Sequence, residues 1–187
     1  LDGKVDTILC PIGGGGIIAG IAVAAKGINP NIKIVGVQTA NIPSMHESMK
    51  NGEVTTAFKS TTIADGIAVK TPGDVTFEII NELVDEVIVV EEDEIAQGML
   101  FLMENQKVVA EGAGAVSTAA LLSGKYVPQK GENVVCVISG GNVDVNTLYR
   151  VIGTALTKEA RRYAFNTVIQ DKPGGLAELT KIISEHD

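Results

Sequence analysis

Four consecutive glycines, Gly13–Gly16, stand between an apolar stretch at Val5–Ile12 and a run of small residues at Ile17–Gly27. Glycine loses more backbone entropy on folding than any other residue. A run of four therefore needs a close approach to the backbone, or dihedrals that other residues avoid. A strand that ends in glycines and continues as a helix is a ready anion site. Its N–H groups point outward, the helix dipole favours negative charge, and no Cβ blocks the approach. A second glycine turn, Ser139–Asn142, follows the apolar stretch Asn133–Ser139 and begins with a hydroxyl.

Three ligands suit such a loop. A nucleoside triphosphate requires Lys and then Ser or Thr after the last glycine; Ile17 and Ile18 stand there, which excludes it. A dinucleotide is the weaker alternative. Gly14, Gly16 and Ala19 satisfy G-x-G-x-x-A, but the next apolar stretch ends at Gln38 and Thr39, with no acid before Glu47 to bind ribose. A phosphate monoester needs only the N–H cradle and leaves the rest of the ligand to other strand ends. Ser139 is expected to project into the same crevice; its alternative is a cap on the following helix. The alternative for the glycines is tight helix–sheet packing.

These residues need a frame. Val5–Ile12, Lys33–Thr39, Asp85–Val90 and Asn133–Ser139 read as buried strands. Ile17–Gly27, Ser44–Lys50, Asp74–Leu83, Glu91–Lys107, Gly114–Gly124 and Asp144–Glu159 read as helices, with Thr61–Gly73 a loop. Gly27 and Pro30 are expected to stop the first helix, and Asp74 to cap the third. The helix from Glu91 presents Ile95, Met99, Leu102 and Met103 as its apolar stripe. Apolar strands alternating with helices predict an α/β fold, a parallel sheet with helices on both faces. Ligands of such sheets collect at the carboxyl ends of the strands, where both glycine clusters lie.

The 187 residues carry a net charge of −8 without a basic tract, which argues against nucleic-acid partners and anionic membrane surfaces. The uncharged run Thr7–Ala25 is broken by Pro11 and the glycines, so it reads as neither a membrane span nor a signal peptide. Cys10 and Cys136 lack metal-type spacing and read as reduced core residues of a cytoplasmic protein.

The segments PIGGGGIIAGIA, TIADG, VDEVIVVEEDEI, VVAEGAGAV and VISGGNVD resemble, in order and interval, pyridoxal-phosphate-dependent threonine/serine dehydratases of fold type II. The resemblance implies the large domain of the tryptophan synthase β-like fold over residues 1–159. It implies pyridoxal 5′-phosphate as cofactor, held at its phosphate by Gly13, Gly14, Gly15, Gly16 and the amide of Ile17. Gly66 would lie against the cofactor through its backbone, Ser139 would hydrogen-bond the pyridine nitrogen, and Glu111 would stand near the substrate or the ring. The implied reaction is elimination from threonine, with serine a slower substrate, to 2-oxobutanoate and ammonia, in isoleucine biosynthesis or threonine catabolism. Residues 160–187, with RYAFNTVIQDKPGGLAELTKII, resemble the opening strand, turn and helix of an ACT domain. Leu176, Leu179, Ile182 and Ile183 would form that helix's apolar face. Such a module implies an amino-acid effector, and the family implies a homo-oligomer.

The match has gaps. None of the lysines, from Lys4 and Lys59 to Lys181, lies in the Ser-x-Lys setting of the family's Schiff-base lysine. We therefore expect a chain truncated at both ends, lacking the small-domain segment and most of the ACT domain, and inactive alone. Serine racemase relatives hold a divalent cation just after the second strand. Gln38 and Ser44 stand where acids would be needed, so no metal is expected, and the reading tilts from serine racemase toward dehydratase. The non-enzymatic alternative is an amino-acid-sensing protein with a decayed catalytic domain. His46 and His186 receive no role.

Overall fold

The apolar stretch around Leu9 forms β1 (Thr7–Pro11), the first strand of a computed structural model that describes residues 4–58 and 60–186. Lys59, counted above among the lysines, lies outside the described residues, as do residues 1–3. β2 (Lys33–Thr39), β3 (Glu86–Val90) and β4 (Val134–Cys136) complete one parallel sheet in the order β3-β2-β1-β4. Along β1 and β2 successive side chains enter opposite cores. Leu9, Val35 and Val37 pack on one face; Cys10, Ile12 and Ile34 pack on the other. Burial on both faces explains why these strands lack polar alternation. Pro11 is tolerated in an interior strand because β4 pairs only as far as Leu9.

One face carries α1 (Gly16–Ile28), α2 (Ser44–Asn51) and α3 (Asp74–Leu83). In α1 the buried residues Ile18, Ala19, Ala22 and Ala25 fall on a helical stripe of mostly small side chains. The other face carries α5 (Gly112–Leu122), and α4 (Glu92–Phe101) and α6 (Val145–Lys158) close over it around Met99, Ala115 and Val151. A reciprocal capping box between Glu91 and Glu94 starts α4, and Asp144 caps α6 by accepting from the Thr147 N–H at 3.0 Å.

Several expectations need correction. Asp74 is the first residue of α3, not its cap; Gly73 holds that position and the Asp74 side chain makes no capping bond. Gly27 stays helical and α1 runs to Ile28. The helix begun at Glu91 changes at Leu102 into a wider π turn, Leu102–Gln106, which keeps Leu102 buried, leaves Met103 half-buried and exposes Glu104. The last strand is shorter than Asn133–Ser139 and half-buried, because it has a neighbour only on the β1 side among the described residues; Cys136 is accordingly half-buried. Burial pushes the Cys10 thiol up to about 12 and that of Cys136 to about 11, so both stay protonated at neutral pH. Among the described residues no paired strand follows Ala160. Residues 162–170 have no ladder partner, and α7 (Gly175–Ser184) buries no residue, so its apolar face is exposed at Leu176, Ile182 and Ile183. Among the described residues no helix is long and apolar enough to cross a membrane.

A polar cluster ties the sheet together at its amino end. Thr7 Oγ1 donates to Glu132 Oε1 at 2.5 Å, the Tyr126 hydroxyl donates to the same oxygen, and the Gln129 N–H donates to Oε2 at 2.6 Å. These bonds, the one from Thr7 foremost, hold the Glu132 carboxyl below the usual carboxylate range. The stabilisation is complete above the unfolded-chain value of about 4.3 and is lost as pH falls through the lower folded value. Glu132→Gln is therefore expected to flatten the acid loss of stability in urea melts taken below about pH 4.5. A pH slope equal to the parent's would contradict this.

Candidate active site

The chain leaves β1 at Pro11, turns through Gly13–Gly16 and enters α1 at Gly16. The four glycines are not equivalent. Gly15 has φ +95°, and a Cβ there would lie 2.8 Å from Ile80 Cδ1 and 2.9 Å from Thr76 Cβ. A Cβ on Gly13 would sit 3.1 Å from the Ile67 Cα. Internal packing thus accounts for these two. A Cβ on Gly14 or Gly16 would meet nothing within 4 Å. Packing gives no reason for these two glycines, whereas a ligand lying against the loop does. Among the described residues, none of the backbone N–H groups of Gly13–Ile17 has an acceptor. Five unpaired donors stand at the positive end of a 13-residue helix, a setting that favours an anion.

Across from this loop lies the turn that follows β4. Ser139, expected from sequence either to face the crevice or to cap the next helix, does not cap α6, since Asp144 fills that role. It borders the same cavity of about 190 Å³ as Pro11, Gly13–Gly16, Ile17, Gly66, Glu111 and Ala113. Every residue proposed from sequence is thus brought to one cavity at the carboxyl end of the sheet. A larger cleft of about 400 Å³ between α4 and α6, lined by Ile63, Asp93, Arg150 and Thr154 among others, contains none of them.

Glu111 stands at the residue before α5. Its N–H donates to Gly140 O at 3.2 Å, and its Oε2 accepts from the Asn142 N–H at 3.0 Å, so it anchors the Ser139–Asn142 turn. Its other oxygen, Oε1, accepts no hydrogen bond among the described residues and lies against Gly66 and Gly140; a Cβ on these would come within 3.2 and 2.4 Å of it. One carboxylate oxygen is structural and the other is available to the cavity.

The loop bearing Gly66 is held by a residue that sequence reasoning passed over. Glu92 was readable only as a helix-start acid. It accepts from Thr39 Oγ1 at 2.9 Å, Thr62 Oγ1 at 2.6 Å and the Ile63 N–H at 2.7 Å, and so fastens the Thr62–Gly66 segment to the end of β2. The one signal in the sequence was its place just after β3, at the carboxyl edge of the sheet.

Gln38 and Ser44 spend their polar groups inside the fold. Gln38 is fully buried; it donates to Ile12 O at 3.3 Å and accepts from the N–H groups of Met45 and His46 at 3.0 and 2.9 Å. Ser44 donates to Val69 O at 2.7 Å. Among the described residues no group of three or more His, Cys, Asp or Glu is placed to hold a metal ion, and no lysine borders the glycine cavity.

Residues 1–140 match the family described as pyridoxal-phosphate dependent enzyme. The chain is 50% identical, over 181 residues, to the L-threonine ammonia-lyase of Thermotoga maritima; the match covers 97% of this chain and 45% of that protein. Threonine deaminase isoform 2 of Solanum lycopersicum, in its processed form, superposes with a TM-score of 0.74 at 33% identity, over 82% of this chain and 45% of that one. Maize serine racemase gives 0.73 at 36% identity, over 84% of this chain and 49% of that one. The chain spans less than half the length of these relatives.

Proposed function

Since the chain belongs to the pyridoxal-phosphate-dependent enzyme family, we propose that it forms the cofactor-holding part of a threonine ammonia-lyase, which converts L-threonine to 2-oxobutanoate and ammonia. The observation that carries the proposal is the single cavity shared by the unpaired amides of Gly13–Ile17, the Ser139 hydroxyl and the free oxygen of Glu111. The open space above Gly14 and Gly16 fits the phosphate of the cofactor. The match to the threonine ammonia-lyase, 50% identical over 97% of this chain, supports the lyase reading, and Gln38 and Ser44, whose polar groups are spent within the fold, add to it.

When bound, pyridoxal 5′-phosphate supplies the electron sink that lets an amino acid lose its α-proton. The chain's own residues hold and tune it. Gly13, Gly14, Gly15, Gly16 and Ile17 would direct their N–H groups at the phosphate, and the dipole of α1 would favour its charge. Ser139 would offer its hydroxyl to the ring nitrogen. A neutral hydroxyl, unlike a carboxylate, does not hold a proton on that nitrogen. Gly66 would lie flat against the ring without a side chain to obstruct it. Glu111 Oε1 would hold or pass a proton beside the substrate. The lysine that anchors the cofactor would come from the part of the relatives that this chain does not match.

Wider assignments accompany this reading. Residues 160–187 would open an ACT-like module that senses an amino acid, a view supported by the exposed apolar face of α7. Two unpaired cysteines suit a reducing, cytoplasmic setting, and the family resemblance supports a homo-oligomer.

The full-length protein is expected to form 2-oxobutanoate from L-threonine, with slower turnover of L-serine. Ser139→Ala should weaken cofactor retention about tenfold, the loss of one hydrogen bond to a ring atom, with thermal stability unchanged. Formation of D-serine without keto acid would move the assignment to racemase. Full retention of cofactor by Ser139→Ala would remove that hydroxyl from the site.

A further inference from the structure

A loop of four glycines is free to turn its peptide planes either way, and an anion cradle works only if N–H groups, not carbonyls, face the ligand. Something must hold the planes. Among the described residues one side chain alone hydrogen-bonds the backbone of Gly13–Gly16. Thr76, in the first turn of α3, donates from Oγ1 to Gly14 O at 2.6 Å. Gly73 O lies 2.9 Å from the same hydroxyl, but the hydroxyl has one proton and the shorter contact is to Gly14. The Gly14–Gly15 peptide is trans, so its C=O and N–H point in opposite directions. Fixing the carbonyl against α3 therefore turns the Gly15 N–H away from α3. That N–H has no acceptor among the described residues, and Gly15 borders the cavity. The same threonine fills the space beneath Gly15, with Cβ 2.9 Å from where a Gly15 Cβ would stand.

We propose that Thr76 is the positioning residue of the anion cradle: by grasping the Gly14 carbonyl it commits the Gly15 N–H to the phosphate. The proposal rests on the cofactor-phosphate reading above and adds a residue outside the cavity wall to it. Without the hydroxyl, the peptide between two glycines is free to flip, and its carbonyl then presents negative charge to the anion. Thr76 touches neither phosphate nor substrate in this scheme; it acts through Gly14 and Gly15.

The test compares the full-length protein with Thr76→Val, which keeps the shape and removes the hydroxyl, and Thr76→Ser, which keeps the hydroxyl. Dissociation constants are measured for pyridoxal 5′-phosphate and for pyridoxal, which lacks the phosphate. Thr76→Val is expected to lose about tenfold or more in affinity for the phosphorylated form while pyridoxal binding changes less than about twofold. Thr76→Ser should recover most of the loss. Equal weakening of both ligands, or of neither, overturns the proposal. Should Thr76→Val fail to fold, Thr76→Cys, similar in volume and a weak donor, is measured the same way. A parent protein that binds both ligands equally well removes the phosphate cradle itself. A parent that prefers the phosphorylated ligand, with the preference intact in Thr76→Val, removes only the role of Thr76.

Discussion

Alanine at Gly14 or Gly16 is expected to leave the fold intact and strip the cofactor, whereas alanine at Gly15 is expected to damage the fold itself. The contrast follows from what each new methyl group meets. At Gly14 and Gly16 it enters open space beside unpaired amides. Gly16 is also the first residue of α1, where alanine should raise stability by up to about 1 kcal/mol. The methyl occupies the approach to the N–H groups, and losing two charge-assisted hydrogen bonds weakens phosphate binding at least about 100-fold. At Gly15 the methyl collides with Ile80 and Thr76 while the backbone sits at φ +95°. Left-handed strain and overpacking together cost roughly 2–4 kcal/mol. Urea melts and cofactor titration on the three variants separate the effects. Tight cofactor binding by both Gly14→Ala and Gly16→Ala would mean that the anion lies elsewhere.

The second large effect is expected where two loops lock onto the start of α5. A Cβ at Gly114 would lie 2.4 Å from Gly140 O, and one at Gly112 would lie 2.2 Å from Ile63 O. Both obstacles are backbone, so no rotamer change relieves them. Gly114→Ala must push the Ser139–Asn142 turn off α5; Gly112→Ala must push away the segment that Glu92 fastens. Each is expected to cost about 3 kcal/mol or more and to abolish cofactor binding with the loss of fold. The bulkier but flexible obstacle at Gly36, the Ile12 side chain, should be less costly. A Gly114→Ala protein that melts with the parent would show that turn and helix are not in contact.

The strands, their parallel sense and most helices were legible because burial on both faces leaves a plain record of apolar runs separated by glycine and proline. Of the cavity residues, the glycines and Ser139 stood out by their place after apolar stretches, although packing accounts for Gly13 and Gly15, while Gly66 and Glu111 were marked only by the family resemblance. What escaped depended on contacts across the sequence. Thr76 is an unremarkable helix residue until α3 packs beneath the glycine loop, 62 residues from its acceptor. Glu92 reads as one of several helix-start acids until Thr62 and Ile63 return to it. The strand expected after Ala160 has suitable side chains, but a strand needs a ladder partner, and none of the described residues supplies one. β4 was overestimated because its composition matches that of an interior strand while its pairing is one-sided.

The pairing of β1 with β4 also orders events in time. Thr7 lies beside Val134, so β1, an interior strand, finds one of its two neighbours only after 127 further residues have been made. At ribosomal elongation speeds this is a delay on the order of 6–25 s. Closing so long a loop is paid for before it is rewarded, which makes this step slow. Ser139 comes up to the glycine bend with that closure, so on a nascent chain the cavity at the carboxyl end of the sheet stays open on one side until β4 has been made.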